Sequence, residues 1–168
     1  MGPTRCYWVK EAAAHRLVLM PRPRSGEWLG EEIAGWREAG FNTVLSLLES
    51  LEVGELGLRE ERALCEANGI EFVSFPIPDR GIPASIPSAV KVVEHLVSRL
   101  RSGKVVAIHC RAGIGRAGIL SACVLLRLGV PIDRVFPSLS RSRGVPVPDT
   151  TEQIRWVENY ARKVGSAP

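Results

Sequence analysis

The chain has 168 residues, 45% hydrophobic and 24% charged, with a formal net charge of +4. This size suits one domain over residues 1–168 with a sizeable core, and the balance is that of an ordinary globular chain rather than a disordered one. The positive charge is too small to argue for nucleic-acid binding by itself, and no basic stripe interleaved with aromatics supports it.

In chain order, Arg16–Met20 reads as a strand and the proline-broken stretch after it as a loop. Glu27–Ala39 carries Trp28, Ile33 and Trp36 at helical spacing and ends at Gly40. Thr43–Leu48 is a nearly unbroken apolar run, the pattern of a strand buried on both faces. A helix is expected over Leu58–Ala67, a strand over Ile70–Ile77, and a proline-rich loop from Pro78 to Pro87 containing Asp79.

Ser88 is a candidate cap for a helix to Arg101, with Val92, Val93, Leu96 and Leu100 on one face. Lys104–His109 is a second buried strand. An apolar helix to Leu128, a short helix over Ile132–Ser140, and a last helix from Thr150 or Thr151 complete the order. Strands alternating with helices predict an α/β domain with a central, mostly parallel sheet and helices on both faces. Ligands of such sheets bind beyond the carboxyl ends of the strands, where the strand ending at His109 delivers Cys110.

The four cysteines, Cys6, Cys65, Cys110 and Cys123, form no C-x-x-C pair, so neither a zinc site nor a disulfide framework is expected. Cys65 and Cys123 read as core residues of helices. Met1–Lys10 has no apolar run and no stretch is long enough to span a bilayer, so a reduced, cytoplasmic setting without membrane association is expected.

The chemistry concentrates in His109-Cys110-Arg111-Ala112-Gly113-Ile114-Gly115-Arg116, a turn from strand into helix with five residues between the cysteine and the arginine. Gly113 and Gly115 allow the backbone to approach a ligand closely. Successive N–H groups of Arg111, Ala112, Gly113, Ile114 and Gly115 can form an anion nest, and the helix start adds unpaired donors. Arg116 offers a planar fork to the same anion. A sulfur among these groups is favoured as thiolate and would lie beneath a bound phosphate, placed for in-line attack on phosphorus. No phosphate-binding G-x-x-x-x-G-K-[ST] occurs, which disfavours a kinase or nucleotide-binding protein.

His109 to Arg116 matches H-C-x-x-G-x-G-R, and the chain resembles the cysteine-dependent protein tyrosine and dual-specificity phosphatases, particularly the compact dual-specificity branch and its small prokaryotic members. Phe75-Pro76-Ile77-Pro78-Asp79 looks like that family's general-acid loop, and Arg143-Gly144 through Gln153 like the segment before its last helix. The resemblance implies a phosphatase-like domain and a metal-independent phosphomonoester hydrolase without cofactor. Its substrates would be phosphotyrosine proteins, with phosphoserine and phosphothreonine proteins as further candidates.

Cys110 would then form a cysteinyl-phosphate, and Arg116 would bind phosphate and stabilise the transferring group. Asp79 would protonate the leaving oxygen and then activate water, with Asp149 and Glu152 as rival acids. His109 would orient the loop. Gln153 is read either as positioning the hydrolytic water or as a surface helix residue, and Arg111 either as a substrate contact or as solvated.

The sequence departs from the family after the arginine, where Ala117 replaces the usual Ser or Thr. That hydroxyl normally donates to the cysteine sulfur, a bond to a charged group worth about 1.5–3 kcal/mol. Its loss is expected to slow phosphoenzyme breakdown roughly 10- to 100-fold. Ser121, one turn further on, points away from the loop's mouth and is not expected to compensate. Two other readings therefore stand beside the hydrolase: a pseudophosphatase module that captures phosphorylated partners, and a phosphatase of phosphoinositides or RNA 5′-phosphates.

Overall fold

The computed structural model describes residues 2–12 and 14–165. Its centre is a five-stranded sheet of β1 (Tyr7–Trp8), β2 (Leu17–Met20), β3 (Phe41–Ser46), β4 (Glu71–Ser74) and β5 (Val105–His109), in the order β1-β2-β5-β3-β4. The four strands β2 to β5 are mutually parallel, and β1 pairs antiparallel with β2 at one edge.

Alternation along each strand divides the core. Leu17, Leu19, Leu45, Val106 and Ile108 face one layer, built from α4 (Ile86–Arg101), α5 (Gly115–Arg127), α6 (Ile132–Arg143) and α7 (Thr151–Val164). Val18, Met20, Val44, Val105 and Ala107 face the other, where α1 (Leu29–Glu38) and α3 (Glu61–Ala67) supply Leu29, Ile33, Trp36 and Cys65. This is the α/β layering expected from the sequence.

α5 is buried on every side from Gly115 to Leu125, flanked by the sheet, α4, α6 and α7. Its apolar sequence follows from that central place. The strand end at His109 and the start of α5 are therefore both fixed in the core, and so is the turn between them.

Several boundaries differ from the sequence reading. Thr43–Leu48 pairs as Phe41–Ser46; Leu47 and Leu48 stay buried past the end of the strand, where the Leu47 amide still donates to His109 at 3.0 Å. The strand at 70–77 narrows to β4, although the amides of Phe75 and Ile77 still donate to Ser46 and Leu47. The helix expected from Ser88 begins at Ile86, because Ser85 is the cap and accepts from the Ser88 amide at 3.2 Å. Pro87 fits the first turn, where its missing N–H costs nothing. Three elements of the described residues were not foreseen: β1, a 3-10 turn over Lys10–Ala12, and a short helix α2 (Ser50–Glu55) after β3.

Candidate active site

The bend from Cys110 to Arg116 lies at the carboxyl edge of β5 and opens into α5. Gly113 has φ +70°, and a Cβ there would collide with the backbone of Met20 and Pro21. Only glycine meets both demands, so the bend is seated directly on the end of β2. Among the described residues, the N–H groups of Arg111 to Ile114 have no protein acceptor. They lie at the N-terminus of a 13-residue helix, where an anion is favoured.

Cys110 is 2% exposed at the base of this bend. Beside it, Arg116 is equally buried, and both of its terminal nitrogens are engaged. Its Nη1 donates to Glu52 Oε2 at 2.6 Å and to the carbonyl of Ile77 at 3.0 Å. Its Nη2 donates to Glu52 Oε1 at 2.9 Å and to Asp79 Oδ1 at 3.1 Å. Burial works against the guanidinium's charge, but the Glu52 hydrogen bonds and the charges at Cys110, Glu52 and Asp79 outweigh it and hold its pKa above the usual value. Glu52 mirrors this. Burial alone would push its carboxyl up, yet the bonds from Arg116 and the Glu49 amide, with the charges of Arg116 and Arg111, hold it below the ordinary range.

Asp79 stands over the site with its side chain half exposed. It belongs to a tight turn in which the Gly81 amide donates to Pro78 at 2.7 Å and Arg80 takes φ +58°. That conformation is strained for a residue with a Cβ. Gln153 Nε2 donates to the Gly81 carbonyl at 3.0 Å, and its Oε1 accepts from the amides of Asp149 and Thr150. Gln153 is therefore fully buried. The surface alternative fails because both ends of its amide are engaged, one by the turn that carries Asp79 and one by the α7 cap.

The rival acids separate. Asp149 lies against Gly115, where any side chain would collide with it and with Gln153. Glu152 is exposed on the first turn of α7. Arg111 turns toward a neighbouring cavity of about 410 Å³, which it lines together with Arg22, Arg24 and Trp28. Ala117 is completely buried, and Ser121 Oγ is buried without a hydrogen-bond partner among the described residues.

His109 is buried and bonds Glu61 Oε1 through Nε2 at 2.7 Å, with Nδ1 3.3 Å from the Cys110 carbonyl. Glu52 and Glu61 both escaped the sequence reading. Each is a buried carboxylate that sits in the sequence as an unremarkable member of an acidic stretch, and only the fold brings it to its partner.

A family profile described as "Tc-R-P: Polymorphic toxin system, DSP-PTPase phosphatase" matches residues 18–130. Cyclin-dependent kinase inhibitor 3 of Rattus norvegicus is 31% identical over 105 residues, 61% of this chain and 49% of that protein. Protein tyrosine phosphatase type IVA 3 of Mus musculus is 26% identical over 161 residues, 92% of this chain and 84% of that protein. The chain thus spans about half the length of the first of these relatives. In structure it resembles kinase associated phosphatase bearing a serine in place of the catalytic-site cysteine, with a TM-score of 0.88, 21% identity, and 98% and 97% of the two chains covered.

Proposed function

Since the chain belongs to the dual-specificity and tyrosine phosphatase family, we propose that it hydrolyses phosphotyrosine in proteins, and phosphoserine or phosphothreonine where the pocket admits them, through a cysteinyl-phosphate. One observation carries this reading. Cys110 lies at the base of a bend with unengaged amides, beside an arginine that Glu52 fixes in place.

Cys110 Sγ attacks phosphorus as the bond to the leaving oxygen breaks, and Asp79 gives that oxygen its proton. Loop amides and Arg116 take the charge on the equatorial oxygens, preorganised before the reaction begins. Water then attacks phosphorus, the P–S bond breaks, and Asp79 recovers a proton from the water. Asp79 is favoured over Asp149 and Glu152 because its carboxylate bonds the same guanidinium that would hold the phosphate. All four cysteines are free, which suits a chemistry that needs a reduced thiol.

Hydrolysis of an aryl phosphate by the wild type, with Cys110→Ser as the blank, is the test. No activity above that blank would overturn the enzyme reading. A capture module for phosphorylated proteins is the second reading, and Ala117 is the observation that favours it. Tight binding of phosphopeptide without turnover would identify it.

A further inference from the structure

Three carbonyls of the bend accept from donors outside it, and a fourth lies beside a histidine nitrogen. His109 Nδ1 lies 3.3 Å from the Cys110 oxygen, and the Arg22 amide donates to Arg111 at 3.2 Å. The next two are taken by one side chain. Arg143, the last residue of α6, donates from Nη2 to Ala112 at 3.0 Å and from Nε to Gly113 at 3.1 Å. Its guanidinium lies over the ring of Tyr7, 4.2 Å from the centroid. Gly144 follows in the left-handed conformation and ends the helix there.

A trans peptide is planar, so the C=O of one residue and the N–H of the next point in opposite directions. Holding the Ala112 oxygen toward Arg143 turns the Gly113 N–H away from it. Holding the Gly113 oxygen does the same for Ile114. A planar guanidinium suits this task, because two donors in a fixed fork set two peptide planes together. The aromatic face beneath it fixes the fork without competing for its hydrogens.

We propose that Arg143, seated on Tyr7, is a positioning residue that presets the Gly113 and Ile114 amides toward the phosphate. This assigns a purpose to β1, whose two residues pair with β2 and bring Tyr7 beneath α6. The inference rests on the phosphate-binding role of the bend. It does not need Arg143 to touch substrate.

The test uses two backgrounds. In Cys110→Ser, affinity for inorganic phosphate and tungstate reads the amides without turnover. In the otherwise wild-type chain, aryl phosphate hydrolysis reads them with it. Losing one preorganised oxyanion donor typically costs on the order of 10²-fold in rate. Arg143→Met should therefore weaken tungstate binding at least about tenfold and lower kcat/KM by about that larger factor.

Arg143→Ala should recover part of both when millimolar guanidinium ion is added. Arg143→Lys should fall between wild type and Arg143→Met. Tyr7→Phe should match wild type, and Tyr7→Leu should lose affinity in the same direction. Unchanged tungstate affinity in Arg143→Met would overturn the inference. A loss that tracks thermal stability, with no recovery by guanidinium, would do the same by making the role structural. Should Arg143→Met not fold, Arg143→Lys and Tyr7→Leu decide. If the wild type hydrolyses nothing, the hydrolase reading fails while tungstate affinity still judges Arg143.

Discussion

Glu52 grips Arg116 with both carboxylate oxygens, at 2.6 and 2.9 Å, and both side chains are almost fully buried. The pair sets the guanidinium's plane before any phosphate arrives. Breaking a buried pair costs about 3–5 kcal/mol where it leaves a charge unpaired; without Glu52, the buried Arg116 keeps only the half-exposed Asp79 as a carboxylate partner, which offsets part of that cost. Glu52→Ala should therefore lower the thermal midpoint strongly and reduce kcat/KM. Calorimetry and aryl phosphate kinetics check the two effects.

The same pair gives stability a pH dependence of definite sign. Glu52 is held below the ordinary carboxylate range when folded, so as pH falls the unfolded chain takes up its proton first. The stabilisation is present above that range and is lost as pH drops through it. Glu52→Gln should flatten this part of the acid limb. An unaltered acid limb in melts of the variant would contradict the assignment.

Ala117 occupies a sealed position in the first turn of α5, where a hydroxyl usually supports the sulfur in this family. Ser121 offers no replacement; its oxygen is buried and unpartnered. The wild type should release a burst of aryl alcohol and then turn over slowly. Ala117→Ser should speed the slow phase roughly 10- to 100-fold while leaving the burst rate nearly unchanged. Rapid mixing separates the phases, and no burst in wild type with no gain in the variant would count against the idea.

Thiol reagents should distinguish the four cysteines. Burial, aided by Glu61 and Glu66, pushes Cys65 up to about 12, and burial with Glu32 pushes Cys6 up to about 11. Cys123 is raised by complete burial. At neutral pH these three stay protonated and slow to react, since the thiolate is the nucleophile. Iodoacetate should label Cys110 alone in the native protein, and tungstate should block it. Labelling that is equal in Cys110→Ser would refute this.

The sheet and its main helices were legible in the sequence because apolar runs and helical periodicity are local signals. So was the bend, because its spacing from Cys110 to Arg116 is compact. The supports of the bend were not legible. Glu52 lies 64 positions from Arg116, Glu61 lies 48 from His109, and Arg143 lies 30 from Gly113. Nothing local marks a glutamate that will be buried against an arginine. The two-residue strand holding Tyr7 is too short to show an alternation of its own. Gln153 was found by resemblance, but its surroundings became visible only when the acid turn folded against it.

That contact gives a prediction about the acid. Gln153 ties Gly81 to the start of α7, and the tie closes the strained turn that holds Asp79 over Arg116. Without it, the acid would be less often in place while the nucleophile and the bend remained intact. A missing proton donor matters most when the leaving oxygen is basic. Gln153→Ala should therefore cut the phosphoryl-transfer rate strongly for phenyl phosphate and little for 2,4-dinitrophenyl phosphate. Asp79→Asn should show the same dependence, and the double variant should lose scarcely more than Asp79→Asn alone. If Gln153 instead only positions hydrolytic water, Gln153→Ala would slow phosphoenzyme breakdown equally for both esters and leave the burst untouched. A pre-steady-state comparison of the two esters decides between the latch and the water site.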